Sequence, residues 1–172
     1  APKADTGTYD VEWQVHWHGD QLALSRKAEY LTLTEPLAVR VLLLMYHYVS
    51  PVAHSPYWVR TERFAAQMRA LRAYGYETIS FADLMEYRAG EKVPPAKPVI
   101  LTFDDGDVGL HSHVLPILSD PDIDFTATAF VITGLMGEFD PPHILLSWEQ
   151  AQALHESGRF DIQSHTVTHP YM

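Results

Sequence analysis

The chain contains no cysteine in its 172 residues. Disulfide bonds and thiolate metal sites are therefore excluded, and any bound metal must use histidine and carboxylate ligands. Long apolar runs are also missing. The longest, Val41–Tyr46, is far shorter than the roughly 20 apolar residues that a membrane-spanning helix needs.

Positive charge is scarce. Lys and Arg number 12 against 22 Asp and Glu, which gives a net charge of −10. Such an acidic chain does not suit a polyanionic partner, so the composition argues against nucleic-acid binding. The hydrophobic fraction of 47% is ordinary for a globular protein, and the length suffices for one domain with its own core.

From Val39 onward, apolar strand-like runs alternate with amphipathic helices, which indicates βα units around a parallel sheet. Ser80 and Ser147 each have an Asp or Gln three residues later, the spacing of a helix capping box. The predicted strands are Val41–Tyr46, Tyr76–Ile79, Val99–Phe103, Phe125–Ile132 and Phe160–Gln163. The predicted helices are Thr61–Tyr74, Ser80 to near Gly90, 107–118 with an early stop at Pro116, and Ser147 to Gly158.

The first part of the chain has a different pattern. Tyr9 to His18 alternates strictly between apolar and polar residues, which predicts a half-buried strand. Gly19-Asp20 then predicts a hairpin turn into a second strand with Leu22 and Leu24. We therefore divide the chain into a small β-rich segment, 1–36, and a main domain, 37–172.

Residues that could act as acids, bases or metal ligands follow three of the predicted strands. His47 follows the first, Asp104-Asp105 the third, and His165 with His169 the last. Because active sites of parallel sheets lie at the carboxyl ends of strands, these side chains are expected at one rim. Taken alone, the Asp pair also fits a solvated turn, the His pair a polar surface, and His47 a rim residue without function.

Two His and one Asp commonly hold a divalent metal with open positions, and a second Asp beside them could act as general base for a water. The set therefore indicates a metal-dependent hydrolase. A non-haem iron oxygenase uses similar ligands, but it has no need of a second adjacent carboxylate.

Two segments resemble a known family. Residues 102–106, Thr-Phe-Asp-Asp-Gly, and 164–170, Ser-His-Thr-Val-Thr-His-Pro, are similar to the first two motifs of the polysaccharide deacetylases, carbohydrate esterase family four. The resemblance covers Val39 to Met172 and implies an α/β fold, the (β/α) barrel of the deacetylases. It also implies Asp104 as catalytic base, and Asp105, His165 and His169 as ligands of Zn²⁺, or of Co²⁺, Ni²⁺ or Fe²⁺ in its place.

Residues 44–49, Leu-Met-Tyr-His-Tyr-Val, resemble a subgroup that acts on the poly-β-1,6-N-acetylglucosamine of biofilms. In that subgroup the barrel is circularly permuted and an early His is the general acid, which maps to His47. The resemblance implies metal-dependent removal of N-acetyl groups from a polysaccharide, outside the cytoplasm of a bacterium. The alternatives are a deacetylase of chitin, peptidoglycan or acetyl-xylan, and a non-catalytic, metal-containing glycan-binding module.

The sequence departs from the family pattern in two ways. The third and fourth family motifs should follow His169, but the sequence ends at Met172, and Asp107 stands where the family often has Pro or Tyr. Five strands also do not close a barrel of seven or eight. We therefore expect a barrel that is incomplete at the C terminus, with the missing strands in a longer protein or a second polypeptide, and weak activity in isolation.

Overall fold

The computed structural model describes residues 11–14, 17–18, 21–22, 40–53, 55–140 and 143–170. In chain order, the strands of these residues are β1 (Val11–Gln14), β2 (Trp17–His18), β3 (Gln21–Leu22), β4 (Val41–Tyr46), β5 (Tyr48–Ser50), β6 (Trp58–Arg60), β7 (Glu77–Thr78), β8 (Pro98–Phe103), β9 (Ala127–Val131), β10 (Phe139–Asp140), β11 (His143–Ile144) and β12 (Phe160–Ser164). The α-helices are α1 (Thr61–Ala73), α2 (Phe81–Ala89), α3 (Leu115–Leu118) and α4 (Trp148–Glu156). A π-helical turn covers Leu110–Val114 and a 3₁₀ turn covers Thr133–Leu135.

One parallel sheet organises the described residues. Its strand order is β1-β4-β8-β9-β12, with β7 also paired to β8, and every pairing is parallel. The five strands predicted after Val39 all belong to it, so the α/β fold class is confirmed. Strand β8 is buried along its whole length, as expected of a central strand covered on both faces.

Aromatic rings fill the core beside β8. The ring of Phe103 stacks on Tyr46, with centroids 5.3 Å apart, and contacts Phe64 at 5.8 Å. Helix α1 supplies Phe64 and Met68, which are one turn apart on its apolar face and fully buried. Burial of each such side chain contributes about 1.5–3 kcal/mol, so α1 is fixed against the sheet by a few large residues.

Both predicted capping boxes are confirmed. The main-chain N–H of Asp83 donates to the Ser80 hydroxyl at 3.0 Å, and the Ser80 N–H donates back to the Asp83 carboxylate at 3.0 Å. Ser147 and Gln150 exchange the same pair of bonds at the start of α4. These side chains satisfy N–H groups that a helix start leaves without partners, which is why α2 and α4 begin where they do.

The helix predicted over 107–118 begins later, and Pro116 does not stop it. The Asp107 carboxylate accepts from the Gly109 N–H at 2.8 Å, and Asp107 also forms an antiparallel bridge with Leu145. These contacts hold residues 107 and 108 outside the helix. Pro116 is at the second position of α3, directly after the π-helical turn Leu110–Val114, so the helix passes the proline with a changed hydrogen-bond pattern and does not stop there.

The described parts of the N-terminal segment form strands. Trp17 pairs with Leu22 and His18 with Gln21 in antiparallel register, as the predicted hairpin requires, while residues 19–20 and Leu24 lie outside the described residues. Strand β1 pairs in parallel with β4 at an edge of the main sheet. The division into 1–36 and 37–172 stays a prediction.

Two strand pairs were not predicted. Strands β5 and β6 pair in parallel, and β10 and β11 pair antiparallel. Each strand has only two or three residues, too few for a periodic pattern to show. Within the described ranges, no helix combines the length and apolarity needed to cross a bilayer.

Candidate metal centre and active site

The predicted functional residues meet at one rim of the sheet. Asp104 and Asp105 follow β8, His165 follows β12, and His47 follows β4. Main-chain hydrogen bonds continue past the strand ends and fix these positions. The Asp104 N–H donates to the Tyr46 carbonyl at 2.9 Å, and the His165 N–H donates to the Val131 carbonyl at 2.7 Å.

A sharp turn separates the two aspartates. Asp105 has φ +70° and Gly106 has φ +86°, so two successive residues occupy the left-handed region. Asp tolerates this region better than most side chains, and Gly occupies it without strain. The Asp105 carbonyl accepts from the Ile132 N–H at 3.3 Å. The turn therefore sends adjacent carboxylates in different directions.

Three groups form a set that could hold a metal ion. Asp105, His165 and His169 each offer a ligand atom, and these atoms all lie within 4.8 Å of one another. Nε2 of His165 is 3.8 Å from Oδ1 of Asp105, and the two imidazole centroids are 4.9 Å apart. Two imidazoles and one carboxylate at such separations fit a divalent cation with open positions.

The two histidines belong to a loop, not to a helix. Thr166 and His169 have φ values of +69° and +50°, and the His169 N–H donates to the Thr166 hydroxyl at 2.9 Å. The N–H groups of Thr133 and Gly134 donate to the carbonyls of Thr166 and Val167, at 3.0 and 2.9 Å. These bonds bring both imidazoles to the same side of the loop.

The electrostatic environment of Asp104 differs from that of an ordinary aspartate. Burial raises the pKa of its carboxyl, the nearby His47 and His165 lower it, and the Asp105 carboxylate raises it again, so that the pKa lies above its usual value. A raised pKa makes the carboxylate a stronger proton acceptor. The raised pKa is consistent with the predicted role of Asp104 as a base.

His47 lies near enough to Asp104 to affect the pKa of its carboxyl. Its ring is half-buried and contacts Tyr48 and Tyr57, with centroids 5.9 and 5.5 Å apart. The structure therefore places all five predicted residues at one rim. The individual roles of these residues stay predictions.

Tyr48 is a site residue that the sequence reasoning missed. Its hydroxyl donates to Oδ2 of Asp105 at 2.5 Å, across 57 residues of sequence. The segment 44–49 drew attention to His47 alone. The sequence did contain an indication of its role, because Tyr48 carries a hydroxyl and comes directly after an apolar strand, at the rim where Asp105 was expected.

Comparisons with known proteins agree with this fold. Residues 91–172 match the model of the polysaccharide deacetylase family. The poly-β-1,6-N-acetyl-D-glucosamine N-deacetylase of Staphylococcus epidermidis is 30% identical over 111 residues, 64% of this chain and 37% of that protein. The protein of the same name from Escherichia coli K12 is 31% identical over 124 residues, 66% of this chain and 18% of that protein.

A solved structure, IcaB from Ammonifex degensii, has a TM-score of 0.66 and 32% sequence identity, and the match covers 74% of this chain and 53% of that one. The likeness to this solved structure extends to the α/β fold with its parallel sheet. Residues 91–172 of the chain are thus similar to the polysaccharide deacetylase family. The chain spans less than half of the length of the two named deacetylases.

Replacing Gly106 by Ala should disturb the turn that separates the aspartates. An added Cβ would lie 3.0 Å from Cγ1 of Val131, besides the cost of the left-handed φ. Gly75 is the matched control, because its φ is +78° but an added Cβ would meet nothing within 4 Å. Gly75→Ala should cost about 1–2 kcal/mol, and Gly106→Ala should cost more. Urea unfolding of both variants measures the difference, and equal losses would contradict this account of the turn.

Proposed function

We propose that this domain removes N-acetyl groups by hydrolysis from a polymer of N-acetylglucosamine, with a β-1,6-linked polymer as substrate. One observation carries the proposal: the Asp105, His165 and His169 ligand atoms lie within 4.8 Å of one another, directly beside a second carboxylate of raised pKa. Similarity to the polysaccharide deacetylase family and the substrate named for two relatives support the choice of polymer.

The ligand set would hold one divalent cation through Asp105, His165 and His169. Without any thiolate in the chain, zinc on a carboxylate and two imidazoles fits best, and Co²⁺, Ni²⁺ and Fe²⁺ accept the same ligands. A cation bound there would supply Lewis acidity, which polarises an acyl carbonyl and makes a water easier to deprotonate.

The other two rim residues would move protons. Asp104 accepts a proton from the attacking water, whose oxygen bonds to the acetyl carbon. His47 donates a proton to the glucosamine nitrogen as the carbon–nitrogen bond breaks, so that acetate and a free amine leave. Both groups need to reach the same acetyl group, and the influence of His47 on the Asp104 carboxyl supports this.

The substrate assignment also bears on location. A biofilm polysaccharide lies outside the cell membrane, so we place the enzyme in an extracytoplasmic compartment: secreted, periplasmic or at the cell surface. Acetate release from β-1,6- and β-1,4-linked N-acetylglucosamine oligomers tests the function. Faster release from the β-1,6 oligomers supports the proposal, whereas binding of oligomers without acetate release would point to a non-catalytic glycan-binding module.

The purified protein should carry one divalent metal per chain. Asp105→Ala should abolish this binding because it removes the carboxylate of the set. His155→Ala is the control, since His155 is exposed on α4. Elemental analysis gives the stoichiometry. Full metal content in Asp105→Ala, or a metal-free wild type whose melting temperature zinc does not change, would contradict the assignment.

Asp104→Asn should keep the metal and lose activity, because the amide cannot accept the proton. Loss of a general base lowers the rate by about 10²–10⁴-fold, measured as acetate release at saturating metal. Asp122→Asn, at an exposed position, should leave the rate unchanged. If Asp104→Asn lost the metal instead, the roles given to Asp104 and Asp105 would be wrong.

His47→Ala should slow turnover without weakening metal binding, since His47 is not one of the three ligands. The alkaline limb of the pH profile, where the general acid has lost its proton, should disappear. Steady-state kinetics across pH, beside His155→Ala as control, measure both effects. A profile that keeps its alkaline limb would leave His47 without a catalytic role.

A further inference from the structure

Tyr48 contacts the proposed ligand Asp105 from the neighbouring strand β5. The two carboxylate oxygens of Asp105 have different surroundings. Oδ2 accepts the Tyr48 hydroxyl at 2.5 Å, while Oδ1 lies 3.8 Å from Nε2 of His165. The side chain of Asp105 is only 13% exposed, so the phenol meets it where little water competes for the hydrogen bond.

The Tyr48 ring is itself held in place. It stacks on Trp58, with centroids 4.9 Å apart and 22° between the ring planes. This contact follows from the parallel register of β5 and β6, in which Tyr48 is the partner of Trp58. The next residue, Val49, is fully buried in the core. The ring is packed on one face, and its strand is anchored in the core. The Tyr48 side chain therefore loses little conformational freedom when its hydroxyl bonds to Asp105.

We propose that Tyr48 is a positioning residue, which fixes Asp105 so that Oδ1 faces His165 and His169 and is presented to the cation. The inference rests on the proposed function, because it needs Asp105 to be a metal ligand. Carboxylate ligands are commonly held by such hydrogen bonds, and loss of one typically weakens metal binding or activity by about 10–100-fold.

Tyr48→Phe tests the inference, since it removes the hydroxyl and keeps a ring to stack on Trp58. Zinc affinity, measured by competition with a chelator, should fall about 10–100-fold, and the visible spectrum of the Co²⁺-loaded protein should change. Tyr46→Phe is the matched control. Its hydroxyl donates to Gln67 at 3.2 Å, away from Asp105, so this variant should keep both the zinc affinity and the Co²⁺ spectrum.

Unchanged zinc affinity in Tyr48→Phe would overturn the inference. An equal loss of zinc affinity in Tyr46→Phe would also overturn it, because it would indicate general destabilisation. Asp105→Ala separates this failure from failure of the proposed function. If Asp105→Ala loses zinc while Tyr48→Phe keeps it, only the role of Tyr48 is wrong. If Asp105→Ala binds zinc as tightly as the wild type, the metal site itself is wrong, and the role of Tyr48 with it.

Discussion

A short ladder of main-chain hydrogen bonds beyond the strand ends holds the whole rim together. The Asp104 N–H donates to the Tyr46 carbonyl and links the turn after β8 to the end of β4. The Ile132 N–H donates to the Asp105 carbonyl and links the segment after β9 to that turn. The N–H groups of His165 and Thr133 donate to the carbonyls of Val131 and Thr166, and link the histidine loop to β9 and the residues after it. The side chains that meet at the rim come from segments about sixty residues apart, and these bonds set their relative positions. Without them, parallel strands would bring the right residues to one edge but not within a few ångströms of each other.

Adjacent aspartates acquire different properties because the backbone turns between them. Asp104 still continues the ladder from β8, and partial burial raises the pKa of its carboxyl. Asp105 has a left-handed φ, and its carboxylate accepts a hydrogen bond from Tyr48 and approaches His165. Two identical side chains thus have different surroundings, as the proposed roles of base and metal ligand require. Gly106 favours this turn because its φ of +86° is left-handed and an added Cβ would press on Val131 at 3.0 Å.

The sequence was sufficient to predict the parallel sheet, both capping boxes and the rim on which the functional residues lie. These features are local, since each depends on a periodic pattern or on residues three apart. The contact between Tyr48 and Asp105 joins residues 57 positions apart and depends on β5 and β6, which are too short to have a pattern. The early stop predicted at Pro116 was wrong because a π-helical turn, Leu110–Val114, precedes the proline, and the periodic pattern of the sequence does not show such a turn.

The candidate ligands differ in how firmly the fold holds them. Asp105 follows the fully buried strand β8 and is fixed by Tyr48, whereas His169 is exposed on a loop held by main-chain bonds to residues 133 and 134. Under the proposed function, a cation would bind both the rigidly held Asp105 and the less constrained His169. Part of its binding free energy would then order the loop, as metal sites commonly couple binding to local folding. Rigid placement of Asp105 would then matter beyond its single ligand atom, because it would fix the position of the cation relative to the sheet.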